Sequence, residues 1–171
     1  APMMSTPLTT ADCCLVTDGG GAVVVTSLER ARDLAQPPVR ILGYGESTTN
    51  TSMTQVPLLP TGAVASGQAA FARAGLTPAD DDVVALYDSF TITVLLSLEA
   101  LGFCGPGEAA ALVASDRVRP GGDLPLNTSG GGLSYCHPGQ YGALLLVEAV
   151  RHLRGEAGAR QVSNPEIALA H

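Results

Sequence analysis

A chain of 171 residues with 46% apolar and 15% charged side chains can bury a core, so one packed domain is expected and intrinsic disorder is excluded. The net charge of −7, with no cluster among the 9 Lys and Arg, argues against a nucleic-acid partner, because phosphate binding needs grouped cations. No apolar run approaches the ~20 residues of a membrane span. Ala1-Pro2-Met3-Met4-Ser5 lacks the basic and apolar regions of a secretory signal, so a cytoplasmic location is expected.

With no Trp and 4% aromatic residues, the core must be aliphatic. Cys13, Cys14, Cys104 and Cys136 show no C-x-x-C spacing and read as reduced thiols, with neither a zinc site nor a disulfide framework. Residues 1–12 read as irregular. Asp18-Gly19-Gly20-Gly21 is a turn before a β-branched strand over 22–26, and its register is not that of a dinucleotide fingerprint. Ser27 caps a helix through Leu34, and Pro37-Pro38 stops it. Residues 39–45 alternate as a strand, and 46–60 form a polar loop long enough to suggest function.

Gly62 to Ala74 is a small-residue helix closed by Gly75, suited to close packing as a central buried element. Thr77-Pro78-Ala79-Asp80 makes a single helical turn. Val83 to Tyr87 is a buried strand, Phe90 to Leu101 a helix capped by Gly102, and Glu108 to Ala114 a short helix. Pro120-Gly121-Gly122 is a turn, and Leu124-Pro125-Leu126 is a short extended edge. A helix over 138–154 ends on Arg151, His152 and Arg154, with Gly155 as its stop, and a last strand spans 161–170. Strands alternating with helices indicate an α/β sheet with helices on both faces.

The chemistry gathers at Leu126-Asn127-Thr128-Ser129-Gly130-Gly131-Gly132-Leu133-Ser134-Tyr135-Cys136-His137-Pro138-Gly139-Gln140-Tyr141-Gly142. Three glycines let the backbone turn through conformations a side chain would forbid and let a ligand approach the main chain closely. Pro138 suits the first position of a helix, which puts His137 at a helix mouth, where the dipole disfavours an imidazolium. A neutral histidine there accepts a proton or donates to an oxyanion; a plain capping role fits the same residues.

Asn127, Gly130, Gly131, His137, Pro138, Gly139 and Gly142 match the C-terminal histidine motif of thiolases, and the stretch resembles that family, with Cys136 where the motif has Gly. Asp18 to Val25 is similar to the last strand of a thiolase N-terminal domain and Val39 to Gly45 to the first strand of the C-terminal domain. Tyr87-Asp88-Ser89-Phe90, Phe103-Cys104-Gly105-Pro106-Gly107-Glu108 and Leu124 to Gly131 resemble the sterol carrier protein X and lipid-transfer branch. The resemblance implies the C-terminal half of a layered αβαβα thiolase-like fold with a mixed sheet. Residues 1–36 would close the N-terminal domain and link it to a C-terminal domain over 37–171.

It further implies an enzyme of CoA-thioester and lipid metabolism: a thiolase-like acyltransferase of the acetyl-CoA acetyltransferase type, with the acyl-CoA as substrate and no cofactor or metal. The nucleophilic cysteine belongs to the other half, so this stretch alone is expected to be inactive. His137 would activate that nucleophile. Tyr87 replaces the oxyanion-hole asparagine, Ser89 the acid/base cysteine of one branch, and His171 the second cysteine of the others, either as acid/base or without a role. Ser134 and Gly139 would meet the pantetheine end of CoA.

Because both cysteines are replaced, a second reading follows from relatives in steroid side-chain degradation. These are retro-aldolases on CoA thioesters with tyrosines in place of cysteines. Tyr87, Tyr135 and Tyr141 are the candidates here, with packing around the loop the favoured reading for the last two. A non-catalytic acyl-CoA or lipid-binding module is the third reading. The partners implied are an N-terminal thiolase half on the same or a separate chain, a second copy in a homo-oligomer, and a small OB-fold subunit found with some relatives.

Overall fold

The computed structural model describes residues 2–49 and 59–171. The chain opens on a small antiparallel hairpin of β1 (Met3–Ser5) and β2 (Leu8–Thr9), where an irregular start is expected. Thr9 and Asp12 then cap a single 3-10 turn reciprocally, and the Asp12 carboxylate also accepts from Thr91 Oγ1 at 2.8 Å. That bond ties the hairpin to the helix that Thr91 begins. Ser27 caps α1 (Leu28–Arg32) by accepting from Arg30 N–H, as its sequence indicates.

The stretches 22–26 and 39–45 are not strands: neither has a ladder partner among the described residues. Their apolar side chains lie open, with Val24 at 89%, Val25 at 72% and Ile41 at 69% exposure. β-branched composition favours a strand only where a neighbour supplies hydrogen bonds and cover. The second stretch lies on α2 (Ala63–Ala74), against whose backbone Gly43 and Gly45 pack, and the Arg73 guanidinium sits 4.3 Å over the Tyr44 ring. Of the 46–60 loop, residues 50–58 lie outside those described.

α2 closes on Gly75 in the left-handed region, whose N–H donates to Phe71 C=O. After the expected turn at Pro78–Asp80, β3 (Val83–Ala85) runs through the centre of the molecule. α3 (Thr91–Leu101), α4 (Ala109–Ala114), α5 (Gly131–Ser134), α6 (Gly142–Leu153) and β4 (Ala168–Ala170) complete the order. β3 pairs in parallel with β4, Val84 opposite Leu169, and bridges in parallel to Leu126 on its other side.

Alternation along β3 divides the core. Val84 and Leu86 join Val94, Leu98 and Leu101 of α3 and Leu112 of α4, whereas Ala85 meets Tyr141 and Leu145 at the start of α6. Helices therefore cover both faces of the sheet.

Two boundaries differ from expectation. The helix expected over 138–154 begins only at Gly142, because Pro138 to Tyr141 form a turn that folds the Tyr141 ring back toward His137. The strand expected over 161–170 is restricted to 168–170, because a left-handed Asn164 before Pro165 interrupts the run.

Candidate active site

The site forms where three loop ends meet above the C-terminal ends of β3 and β4. Tyr87 stands two residues beyond the end of β3, and its N–H donates to the His171 carbonyl at 2.7 Å, while His171 N–H donates to Ala85 C=O at 2.9 Å. The parallel ladder thus runs on past β3 and fixes the backbone of Tyr87.

His137 arrives from the glycine loop, which is pinned at four places. Asn127, in the left-handed region at φ 47, clips Leu86: its Oδ1 accepts from Leu86 N–H at 2.7 Å and its Nδ2 donates to Leu86 C=O at 3.0 Å. Thr128 Oγ1 bonds Glu148 and His152 of α6. Asp88, only 2% exposed, accepts from Gly132 N–H at 2.6 Å and Leu133 N–H at 3.2 Å. Finally His137 N–H donates to Thr17 Oγ1 at 2.8 Å.

Glycines are required at 131 and 132. A Cβ at 131 would strike the Asp88 carboxylate, and one at 132 would come within 2.7 Å of His137 Cδ2.

The outcome is a hydrogen bond of 3.0 Å between Tyr87 Oη and His137 Nε2 on rings stacked at 5.4 Å. Tyr141 backs the pair, its centroid 5.9 Å from His137 and 6.2 Å from Tyr87. Tyr141 is buried, and burial raises its phenol pKa, with Asp88 and Glu148 adding to the rise against a bond from Ser129. It therefore stays protonated and packs behind the pair, while Tyr87 and His137 reach solvent. A phenol and an imidazole joined by one hydrogen bond can pass a proton between a substrate and each other. The starting point expected for His137, a helix mouth, is not what holds it: α6 begins beyond Tyr141, and the loop contacts do the positioning.

The other expected residues are placed differently. His171 joins the site through its backbone bond to Tyr87, and partial desolvation lowers the pKa of its imidazole although the residue is exposed. Ser134 ends α5, and Gly139 lies in the open turn after Pro138. Tyr135 is 58% exposed and stands on the rim of a cavity of about 120 Å³, between Gly20, Gly21 and α6, that Ser129 and Tyr141 also line. The Ser89 hydroxyl pairs with Thr93 Oγ1 at 3.2 Å.

Cys136 Sγ accepts from Thr17 Oγ1 at 3.3 Å and packs against Gly19, and burial with Glu99 and Glu108 nearby raises the Cys104 thiol. Asp88, Thr17 and the Thr128 contacts escape a reading of the motif alone. The available signal was Glu148 and His152, two polar residues four apart on the helix face that also carries the apolar Leu145 and Ala149.

A family model described as "Thiolase C-terminal domain-like" matches residues 43–171. The chain is 44% identical over 158 residues to the 17-hydroxy-3-oxo-4-pregnene-20-carboxyl-CoA lyase of Mycobacterium tuberculosis, covering 87% of this chain and 40% of that protein. It is 42% identical to the steroid side-chain-cleaving aldolase of Thermomonospora curvata, covering 87% of this chain and 39% of that protein. It is 34% identical to the acetyl-CoA acetyltransferase of Methanothermobacter thermautotrophicus, covering 99% and 45%. Among solved structures, the Ltp2-ChsH2(DUF35) aldolase superposes with a TM-score of 0.82 at 38% identity, over 98% of this chain and 45% of that one. The chain thus spans two fifths to less than half of the length of these relatives. With the histidine motif, the glycine loop and the α/β layers all in place, this chain belongs to the thiolase C-terminal domain-like family.

Proposed function

We propose that the protein to which this chain belongs cleaves a carbon–carbon bond beside a CoA thioester by a retro-aldol reaction. The observation that carries the reading is the Tyr87–His137 hydrogen bond at 3.0 Å, a phenol and an imidazole placed to share a proton. Thiolysis needs a thiol nucleophile and a thiol acid/base; a retro-aldol step needs only a proton carrier at the hydroxyl and one at the α-carbon. The similarity to a pregnene carboxyl-CoA lyase and to a side-chain-cleaving aldolase points the same way.

In the proposed step, Tyr87, working with His137, takes the proton of a β-hydroxyl group. The hydroxyl oxygen becomes a ketone, the bond between the α- and β-carbons breaks, and its electron pair passes to the α-carbon as a thioester enolate. A proton returned to that carbon completes a shortened acyl-CoA, so atoms and charge balance. His171, bonded to the backbone of Tyr87, is proposed as a flanking group that touches the substrate. Ser134 and Gly139 remain proposed contacts for the pantetheine arm. The rest of the thiolase fold, and a second subunit of the kind named in the Ltp2-ChsH2(DUF35) aldolase, are proposed partners that complete the site.

The test uses the full protein, with any chain that copurifies, and a β-hydroxyacyl-CoA whose β-carbon is a ring carbon. Ketone release without added CoA is expected. Y87F is expected to lower kcat by about 10²–10⁴-fold, the usual contribution of a positioned acid/base. Turnover only when free CoA is supplied, with transfer of an acyl group to it, would establish instead the acyltransferase reading that the acetyl-CoA acetyltransferase likeness favours.

A further inference from the structure

Beneath the glycine loop lies a polar cluster to which the proposed reaction assigns no step. Val162 N–H donates to His152 Nδ1 at 3.2 Å, so Nδ1 is the acceptor and Nε2 carries the proton. Nε2 lies 2.7 Å from Thr128 Oγ1 and donates to it. The Thr128 hydroxyl donates in turn to Glu148 Oε1 at 3.0 Å. Arg160 grips the same carboxylate with two bonds of 2.9 and 3.0 Å. One backbone amide thus sets the direction of every bond in the chain.

Its Glu148 and His152 members are buried, at 5% and 1% exposure, while Arg160 closes the solvent end. Burial lowers the His152 pKa and keeps the ring neutral against the pull of Glu148. Burial also raises the Glu148 carboxyl, but the bonds from Arg160 and Thr128 and the Arg160 charge outweigh it and leave a net lowering. A fully satisfied network in a low-dielectric interior is rigid, and removing one member leaves the others unpaired.

Its location gives that rigidity a use. Thr128 follows Asn127, whose side chain clips Leu86, the residue before Tyr87. Glu148 and His152 are one turn apart on α6, and α6 starts just after Tyr141, whose ring stacks on His137. One helix therefore holds the loop before the glycines and also after them. Resting on the role given above to Tyr87 and His137, we infer that Thr128, held by Glu148 and His152, is a positioning residue that sets the distance between Tyr87 Oη and His137 Nε2.

The experiment compares T128V, which keeps the shape and loses the hydroxyl, with T128S, which keeps the hydroxyl and loses the methyl. It is made on the full protein with any copurifying chain. The first readout is the nitrogen NMR signals of the His137 ring, referenced to Y87F, in which the Tyr–His bond is absent. T128V is expected to move those signals toward the Y87F position, and T128S to leave them at the wild-type position. The second readout is the split of kinetic constants: T128V is expected to lower kcat by about 10–100-fold with KM nearly unchanged, the scale of a small misplacement of reacting groups. T128S is expected to retain wild-type kcat within about threefold, since the oriented hydroxyl remains.

Wild-type His137 signals in a folded T128V would overturn the inference, as would a T128S as defective as T128V. If T128V fails to fold, R160Q at the half-exposed end of the network decides: a smaller displacement of the His137 signals in the same direction supports the positioning role, and none overturns it. Absence of lyase activity in the wild type would overturn the proposed reaction while the His137 signals still decide the positioning.

Discussion

Asp81 and Asp88 are both buried carboxylates, and their surroundings treat them in opposite ways. Asp88 sits against two backbone N–H groups of the glycine loop. Asp81 is 6% exposed, and its Oδ2 is buried with no hydrogen-bond partner among the described residues. Burial, reinforced by the charges of Asp82 and Asp80, pushes its pKa from 3.8 up to about 7. Because the folded-state value lies above the unfolded one, the stability from the protonated form is complete below about pH 3.8 and is lost as pH rises through about 7. D81N, which stays neutral, is expected to be more stable than wild type at pH 8 by about 1–2 kcal/mol after allowance for solvent screening. The gain should vanish at pH 4, and chemical unfolding at the two pH values checks it. Tyr87 and His137 were legible in the sequence because each occupies a recognisable motif slot. Asp88 was not, because its role depends on glycine N–H groups that reach it only after the chain folds.

At the level of elements, the short strand β3 owes its place to the helices packed on its two sides. Leu98 of α3 is fully buried against Val84 and Leu86, whereas the site hangs from α6 on the opposite face. L98A is therefore expected to cost about 2–5 kcal/mol of stability, the range for emptying a buried leucine site. It should leave the His137 ring signals unchanged at temperatures where the protein is folded. Thermal unfolding and the same NMR readout test both halves of that statement. Helix periodicity, the capping Ser27 and the closing glycines 75 and 102 placed α1, α2 and α3 correctly to within a residue or two. The start of α6 was less legible: Pro138 is a good first residue for a helix, but the stacking of Tyr141 on His137 draws the chain into a turn first.

At the level of the whole molecule, two apolar ribbons, 22–26 and 39–45, run over the surface with exposed Val24, Val25 and Ile41. Apolar side chains in such ribbons ordinarily mark a surface that another element covers. The chain also spans 40% of the length of a relative to which it is 44% identical. Amide hydrogen exchange of this chain by itself is expected to be fast over 23–25 and 41–44 and slow at Val84 to Leu86. In the full protein with its copurifying chains, the first two stretches are expected to become protected. Fast exchange there in the full protein would mean that these ribbons stay uncovered.

Composition and pattern by themselves determined that this is an α/β chain with an aliphatic core and that a glycine loop leads to His137, while resemblance to the thiolase motifs marked Tyr87 and Ser89 as standing where that family places asparagine or cysteine. Those features are local: they depend on spacing, on the special conformations of glycine and proline, and on which side chains can carry a proton. Tertiary structure decided that Tyr87 and His137 share a hydrogen bond, that Cys136 faces Thr17 and Gly19, and that the apparent strands 22–26 and 39–45 have no ladder among the described residues. It also decided that Glu148 and His152 grip Thr128. Each of these depends on residues tens of positions apart meeting in one place, or on a pairing edge that the chain itself must supply. Neither the period nor the propensity of a single segment carries that information.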